Sequence, residues 1–408
     1  MGWPVKPLGE LCEFRNGLWK GKKPPFQEVT VIRNTNFTKG CELDLQDVAV
    51  LDVELKQYQS RKLEFGDLIL EKSGGGPNQP VGRIVKFEVP DGDYSFSNFT
   101  SIVRVKDPSI LDYSFLHKFL FYLYEIGATE PLQRQSTGIR NLQLKEYKEI
   151  MIPIPALEEQ KRIVAMLDEA FADIDKAREL TEQNLKNARE LFESYLAKIF
   201  DESKKDSNQY KLEDISGGVF TGPFGSLLHK SDYVTGGIPI VNPAHITEQG
   251  INIDDRKTIK IEKASELRAY TMREGDIVIS RRGEMGRCAV VGENESGYIC
   301  GTGSFVIRAS KRFHSDYLVS YLRHSRTRRQ LEKIAGGAVM PNLSNKQLSA
   351  LKLHLPTIDE QVRLANQIRN VCNQIEKVST IYESKIDSLN SLRTSLLKKV
   401  FTSLNAII

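Results

Sequence analysis

The chain contains its own second copy. Thr137-Gly-Ile-Arg-Asn-Leu142 is followed by Ile152-Pro-Ile-Pro-Ala-Leu-Glu-Glu-Gln-Lys-Arg-Ile-Val164. Further on, Ala338-Val-Met-Pro-Asn-Leu343 is followed by Leu353-His-Leu-Pro-Thr-Ile-Asp-Glu-Gln-Val-Arg-Leu-Ala365. Asn141 falls on Asn342, Pro155 on Pro356, Gln160 on Gln361 and Phe200 on Phe401, each 201 residues apart. A constant separation over so long a stretch leaves no room for a net insertion, so any fold must be built twice. Upstream the match loosens. Phe65-Gly-Asp-Leu-Ile-Leu70 parallels Glu274-Gly-Asp-Ile-Val-Ile279, Gly82-Arg83 parallels Gly286-Arg287, and Ser101-Ile-Val-Arg104 parallels Phe305-Val-Ile-Arg308, at separations between 204 and 209. Each repeat therefore has a variable half and a uniform half.

The variable halves hold short apolar or alternating runs such as Val29-Thr-Val-Ile32, Asp67-Leu-Ile-Leu70 and Ser101-Ile-Val-Arg-Val105, separated by Gly, Pro and Asn. That pattern predicts short strands and long loops, with helices near 112–126 and 315–334. The uniform halves have no Gly or Pro from Leu157 to Phe200 or from Ile358 to Phe401. Apolar residues return there at heptad spacing: Ile163, Ala170, Ala177 and Leu191 at d, Leu167, Ile174, Ala188 and Tyr195 at a, with Leu364, Val371, Val378 and Leu392, and Ile368, Ile375, Leu389 and Leu396, in the second copy. Each helix would be about 65 Å long at about 1.5 Å per residue. The expected fold is mixed α and β (α+β), with two globular modules at 1–156 and 207–357, each followed by a long helix at 157–206 and 358–408. The two helices share one register, and a pseudo-twofold relation between the repeats would pair them as an antiparallel coiled coil. Asn184 and Lys385 interrupt the seam. A polar seam residue either fixes register at a cost in stability or simply faces solvent.

Catalytic constellations are missing. There is no GxxxxGK[ST], HExxH or GxSxG string, and Asn242-Pro-Ala-His245 and Glu146-Tyr-Lys148 are fragments of motifs without their companions. Five cysteines, an odd number without CxxC spacing, argue against a disulfide framework or a zinc site. No stretch of about 18 apolar residues occurs, and the start lacks a basic segment followed by an apolar run, so a cytoplasmic, non-membrane protein is expected. With 27% charged residues and a net charge of only +4, a nucleic-acid reader of this composition must gather its cations on one face.

The module loops offer suitable side chains. The first has Lys20, Lys22, Lys23, Asn34, Asn36, Lys72, Asn78, Gln79 and Arg83; the second has His229, Asn242, His245, Arg281, Arg282 and Arg287, with Lys230 beside them. Lys and Arg neutralise phosphates, whereas Arg on guanine and Asn or Gln on adenine can bond in bidentate fashion and so discriminate sequence. The residues alone leave two other readings open: a helical scaffold that binds only protein, and an enzyme with an unfamiliar site.

The doubled strings carry a resemblance. Thr137-Gly-Ile-Arg-Asn-Leu142 through Val164, and the copy at 338–365, resemble the end of a target recognition domain in the specificity subunits of type I restriction–modification systems, and Gly222-Pro-Phe-Gly-Ser226 resembles a turn near the start of such a domain. The resemblance adds Thr137, Arg140, Asn141, Phe224, Ser226, Met340 and Asn342 to the candidate DNA contacts. The first module departs from it, with Asn16-Gly-Leu-Trp-Lys-Gly-Lys-Lys23 in place of that turn, so the two modules are expected to read different half-sites. The resemblance implies a non-catalytic subunit that reads a bipartite, asymmetric site in double-stranded DNA, its helices acting as a ruler. It further implies two methyltransferase subunits and two restriction (motor) subunits as partners, with S-adenosylmethionine, ATP and Mg bound by those partners and not by this chain.

Overall fold

The structure is a computed structural model and describes residues 3–19, 21–76, 79–136, 138–224, 227–336 and 342–403. It divides into two compact units, Met1–Glu182 with Ser384–Ile408, and Gln183–Glu383. Each unit is one α/β module together with half of each long helix.

The modules share a framework. In the first, an antiparallel sheet runs in the order Cys12–Asn16, Thr100–Val105, Asp67–Glu71, Ile84–Phe87. In the second the order is Val219–Thr221, Ser304–Ile307, Ile277–Ser280, Cys288–Val290, again antiparallel throughout. The middle strands are apolar on both faces because helix covers one side and a smaller sheet the other. That smaller sheet contains a parallel pair in each module, Phe26–Ile32 beside Tyr94–Phe96 and Ile238–Val241 beside Ile299–Cys300. The doubled Gly-Asp string has a structural task. Gly66 and Gly275 take φ of +89° and +79°, a conformation cheap only for glycine. The following aspartates, both fully buried, then meet an arginine of the neighbouring strand: Arg104 Nε lies 2.6 Å from Asp67, and Arg308 Nη1 lies 2.6 Å from Asp276.

A two-stranded ladder closes each module. Val5–Pro7 pairs with Met151–Pro153, and Asn208–Lys211 with Lys352–Leu355, so a long helix leaves directly after each closing strand. These helices span Leu157–Lys205 and Ile358–Ser403. The glutamine of the doubled Pro-x-x-x-Glu-Gln string locks helix to module. Gln160 is fully buried; its Oε1 accepts the Asp112 N–H at 2.8 Å, and its Nε2 donates to the Ile110 and Pro155 carbonyls, each at 2.8 Å. Gln361 repeats this, accepting from the His314 N–H and donating to the Pro356 carbonyl, both at 2.9 Å. Asp112 and His314 are the N-caps of the module helices Tyr113–Glu125 and Ser315–Arg323.

Within each unit the two helix halves run antiparallel, and the end of one helix packs on the module that precedes the other. Phe401 meets the rings of Phe115, Phe119 and Tyr122, with centroids 5.8, 5.2 and 5.5 Å away. Phe200 meets Tyr317 and Tyr321 at 5.8 and 5.2 Å. In the first unit Ile163, Leu167, Phe171 and Ile174 join one core with Leu397 and Phe401. In the second, Leu196, Ile199 and Phe200 join Leu364, Ala365 and Ile368.

The seam does not keep the strict heptad register. Leu191 and Leu392, assigned to d positions, are 69% and 45% exposed. Phe192 and Arg393, one residue later in each helix, turn inward instead. A straight helix of 3.6 residues per turn drifts by about 20° per heptad relative to a 3.5 repeat, so the buried stripe must move on by a residue. Asn184 and Lys385 lie where it moves, and both are exposed, which decides for solvent over a register-fixing role.

Candidate nucleic-acid interface

In the first module Asn34, Lys72, Gln79, Arg140 and Asn141 gather round one short strand, Ser73–Gly75. It forms the edge of a three-stranded sheet with Ile139–Leu142 and Gln133–Ser136, so the doubled Asn141 string lies directly beside the Gly-rich loop. Asn141 Oδ1 accepts from the Ser73 hydroxyl at 2.6 Å. Asn34 Nδ2 donates to the Glu71 carboxylate and, at 3.4 Å, to the Ser73 carbonyl. Lys72 Nζ donates to Asn16 Oδ1 at 2.7 Å, and burial holds its amine below the usual lysine range. Arg140 is half-buried, 3.9 Å from Glu130. Gln79, Lys22 and Lys23 are exposed; the backbone N–H groups of the two lysines donate to Glu54, which leaves their side chains pointing outward.

The second module repeats this arrangement in reduced form. Asn342 bridges to Arg282 on one side and to Gly336 on the other, as Asn141 pairs with Ser73 and with the Gln133–Ser136 strand. Arg281 occupies the place of Lys72: its N–H donates to the Gly303 carbonyl at 2.9 Å, as that of Lys72 donates to Phe99 at 3.0 Å. Its Nε donates to the Leu343 carbonyl at 3.0 Å and its guanidinium lies 4.8 Å from the centroid of Phe224. Burial and the neighbouring Arg282 both disfavour its charge. Arg282 is exposed beside Gly283, whose φ is +75° with open space around it. Arg287 shares Glu284 with Arg328 and reaches the Pro243 carbonyl at 3.4 Å. Asn242 is half-buried against Gly301, and His229 stands exposed on a separate loop.

Three expected contacts are employed inside the modules. Asn36 is 3% exposed; it accepts from the Arg33 N–H and donates to the Asp47 carbonyl, closing a turn. Arg83 binds both oxygens of buried Glu71 at 2.8 Å and also donates to the Phe37 and Asn34 carbonyls. His245 is 8% exposed, with Nδ1 3.2 Å from the Asn242 N–H group it caps. Lys20, Asn78, Thr137, Ser226 and Met340 lie outside the described residues. Two residues beside these were not among the expected contacts: Arg328, on the basic helix Ser325–Ile334, and Trp19, which is 68% exposed.

All five cysteines are free thiols; burial pushes Cys12, Cys41 and Cys288 up to about 12, far from thiolate reactivity at neutral pH. Among the described residues no group of three or more His, Cys, Asp and Glu side chains is placed to hold a metal ion, and no helix is long and apolar enough to cross a membrane.

A family model described as the type I restriction modification DNA specificity domain matches the chain twice, over residues 1–186 and 205–384. The chain belongs to that family. A specificity subunit recognises DNA sequence and is not itself the catalyst. The chain is 21% identical to the EcoBI specificity subunit of Escherichia coli over 70% of its own length and 64% of that protein. It is 22% identical to the EcoKI specificity subunit of Escherichia coli over 98% of its length and 88% of that protein. A solved chain from a study of complex assembly and conformational transition in a type I R-M system superposes with a TM-score of 0.77 at 19% identity, covering 98% of this chain and 97% of that one. This specificity subunit thus shares the fold of that solved chain, and both matched segments run from a module into a long helix.

Proposed function

We propose that the two modules each read one half of a bipartite, asymmetric DNA site, and that the two long helices set the distance between the halves. The observation that carries this is one framework used twice with different loops. The Gly-Asp turn, the buried Asp–Arg pair, the central Asn and the glutamine lock recur, while the residues presented around them differ. A constant frame with changed loops is what two readers of unlike sequences require. The proposed contacts are Lys22, Lys23, Asn34, Lys72, Gln79, Arg140 and Asn141 in the first module, and Phe224, His229, Asn242, Arg282, Arg287 and Asn342 in the second. Lys20, Asn78, Thr137, Ser226 and Met340 belong to the proposal on the resemblance of their strings. Asn36, Arg83 and His245 are left out because their side chains are nearly enclosed as well as bonded within the module, and Arg281 acts by holding Phe224 and the Leu343 carbonyl.

On this reading two methyltransferase and two restriction subunits dock on the chain and supply the chemistry, with S-adenosylmethionine, ATP and Mg bound there. The test is a module exchange. Residues 207–357 are replaced by the corresponding module of a relative and the assembly's methylated sequence is determined in a host. One half-site should change and the other persist. A change in both halves, or in neither, overturns the proposal.

A further inference from the structure

Two turns that look unrelated in sequence hold one position in the two modules. Gly17 and Gly222 each end the first strand of the main sheet pressed against the opposite backbone. A Cβ on Gly17 would lie 1.8 Å from the Ser97 carbonyl oxygen, and one on Gly222 would lie 2.2 Å from that of Gly301. The Gly17 N–H donates to the Thr100 carbonyl at 3.1 Å, and the Gly222 N–H to that of Ser304 at 3.3 Å. No side chain fits at either point, so both turns leave the sheet along the same fixed path. The next residue is buried in each case, Leu18 and Pro223. The one after is an exposed aromatic, Trp19 at 68% and Phe224 at 43%. Phe224 has one ring face against the Arg281 guanidinium, 4.8 Å from its centroid, which leaves the other face open. Arg281 has no acidic partner among the described residues and is itself fixed by the Gly303 and Leu343 carbonyls, so the ring rests on a rigid support. Exposed cations stand close in sequence, Lys22 and Lys23 after Trp19, and Arg282 after Arg281.

We infer that Trp19 and Phe224 are the base-contacting aromatics of the two modules, each pressing its open ring face onto bases of its own half-site, with Arg281 as the positioning residue for Phe224. This rests on the reading of the modules as DNA readers and goes beyond it by naming equivalent, uncharged contacts that the unlike sequences of the two turns conceal. Aromatic side chains held on a rigid turn among cations stack on bases or wedge at a base step, and such contacts add affinity without adding a phosphate contact. They discriminate sequence because base steps differ in how readily they unstack and because a thymine methyl offers an apolar edge.

The test uses the chain assembled with its methyltransferase subunits. Cognate duplexes carrying 5-iododeoxyuridine in place of single thymines are irradiated, and the crosslinked peptides are mapped. Crosslinks are expected on the peptide holding Trp19 from one half-site and on that holding Phe224 from the other. In parallel, Trp19→Ala should weaken binding to the cognate duplex by roughly 5- to 100-fold, whereas Trp19→Phe should stay within a few-fold of the parent. The dependence of binding on salt should not change, because no charge is removed. Absence of crosslinks at both aromatics overturns the inference, whether or not the Ala variant assembles. So does a Trp19→Ala variant that binds like the parent, or one that loses affinity equally for every sequence with a shallower salt dependence. A parent assembly that shows no sequence preference at all defeats the DNA-reading proposal itself, and is recognised before any variant is made.

Discussion

His117 is fully enclosed, with Nε2 3.2 Å from the Cys41 carbonyl and 3.1 Å from that of Ile84. Burial pushes its imidazole from the usual 6.5 down to about 3, and Lys118 and Lys86 repel its charged form further. The folded chain therefore stays neutral there while an unfolded chain takes up a proton near 6.5. Stability is complete above about pH 6.5 and falls as pH drops towards 3, by about 1.4 kcal/mol per pH unit from this residue. The matching position in the second module, counted from the helix N-caps Asp112 and His314, is Val319. Acidification from pH 7 to pH 5 should thus weaken the first unit by about 2 kcal/mol through His117, and the second by less, through His324, whose imidazole burial also lowers. Hydrogen exchange read peptide by peptide at the two pH values checks this, and a His117→Gln chain that keeps the full acid sensitivity would reject it. A second expectation concerns the buried pairs. Asp276→Ala strands the Arg308 guanidinium, which is 17% exposed, and should cost roughly 3–5 kcal/mol in denaturant unfolding. Glu284→Ala, which breaks an exposed pair, should cost less than about 1 kcal/mol. At this scale the sequence identified residue types but not their employment. Arg83 and Arg282 are both arginines in Gly-rich loops, yet one meets Glu71, twelve positions back on a neighbouring strand, and the other meets solvent. Only the pairing of the strands decides between them. Trp19 was legible in principle, but its equivalence to Phe224 depends on Gly17 and Gly222 occupying one backbone position.

Among the elements, the long helices were the most legible because Gly and Pro are excluded over many turns and apolar residues return throughout. The seam was read too strictly: a heptad template keeps Leu191 and Leu392 inside, whereas an almost straight helix brings Phe192 and Arg393 round instead. Arg393 shows why composition cannot settle such a position. Its guanidinium stacks 4.5 Å from the Phe171 centroid and pairs with Asp175 at 3.5 Å and Glu42 at 3.6 Å, so a charged residue serves as a seam residue. The strands Asp67–Glu71 and Thr100–Val105 were signalled by their apolar runs, but the sheet order was not, because register between distant strands leaves no local trace. The glutamine locks give an element-scale prediction. Gln160→Leu removes an acceptor for the Asp112 N–H and a donor for two carbonyls, all in a dry setting where an orphaned group costs roughly 1–3 kcal/mol. The long helix should still form, since its apolar face is untouched, but exchange should accelerate at the start of Tyr113–Glu125 and around Pro155, with the second module unaffected. Gln361→Leu should do the converse. Equal effects of either substitution on both modules would show that the glutamines are not local locks.

For the molecule as a whole, the duplication was plain in the sequence because four matches share one separation of 201 residues. The compact units are drawn differently from the sequence segments. Segmenting by sequence sets each long helix apart from its module, whereas the compact units cut both helices near their middles, after Glu182 and after Glu383, themselves 201 residues apart. This matters for the proposal that the helices set the distance between half-sites. If they do, lengthening both at those two points adds length between the units and leaves every module contact in place. Seven residues at each point preserve the phase of the apolar stripe on either side, so both units should still assemble. Each helix gains about 10 Å at about 1.5 Å per residue. Along a duplex that is about three base pairs at roughly 3.4 Å each. Three base pairs also turn the far half-site by nearly a third of a helical repeat of about 10.5 base pairs, so affinity should fall even at the best spacing. The preferred spacer should nevertheless lengthen by about three base pairs with both half-site sequences unchanged, as read by methylation of a library of randomised spacers with the reconstituted methyltransferase. Inserting in only one helix should instead break the antiparallel register and abolish the preference. A doubly lengthened chain that folds, assembles and still selects the original spacer would mean that something other than the helices measures the distance.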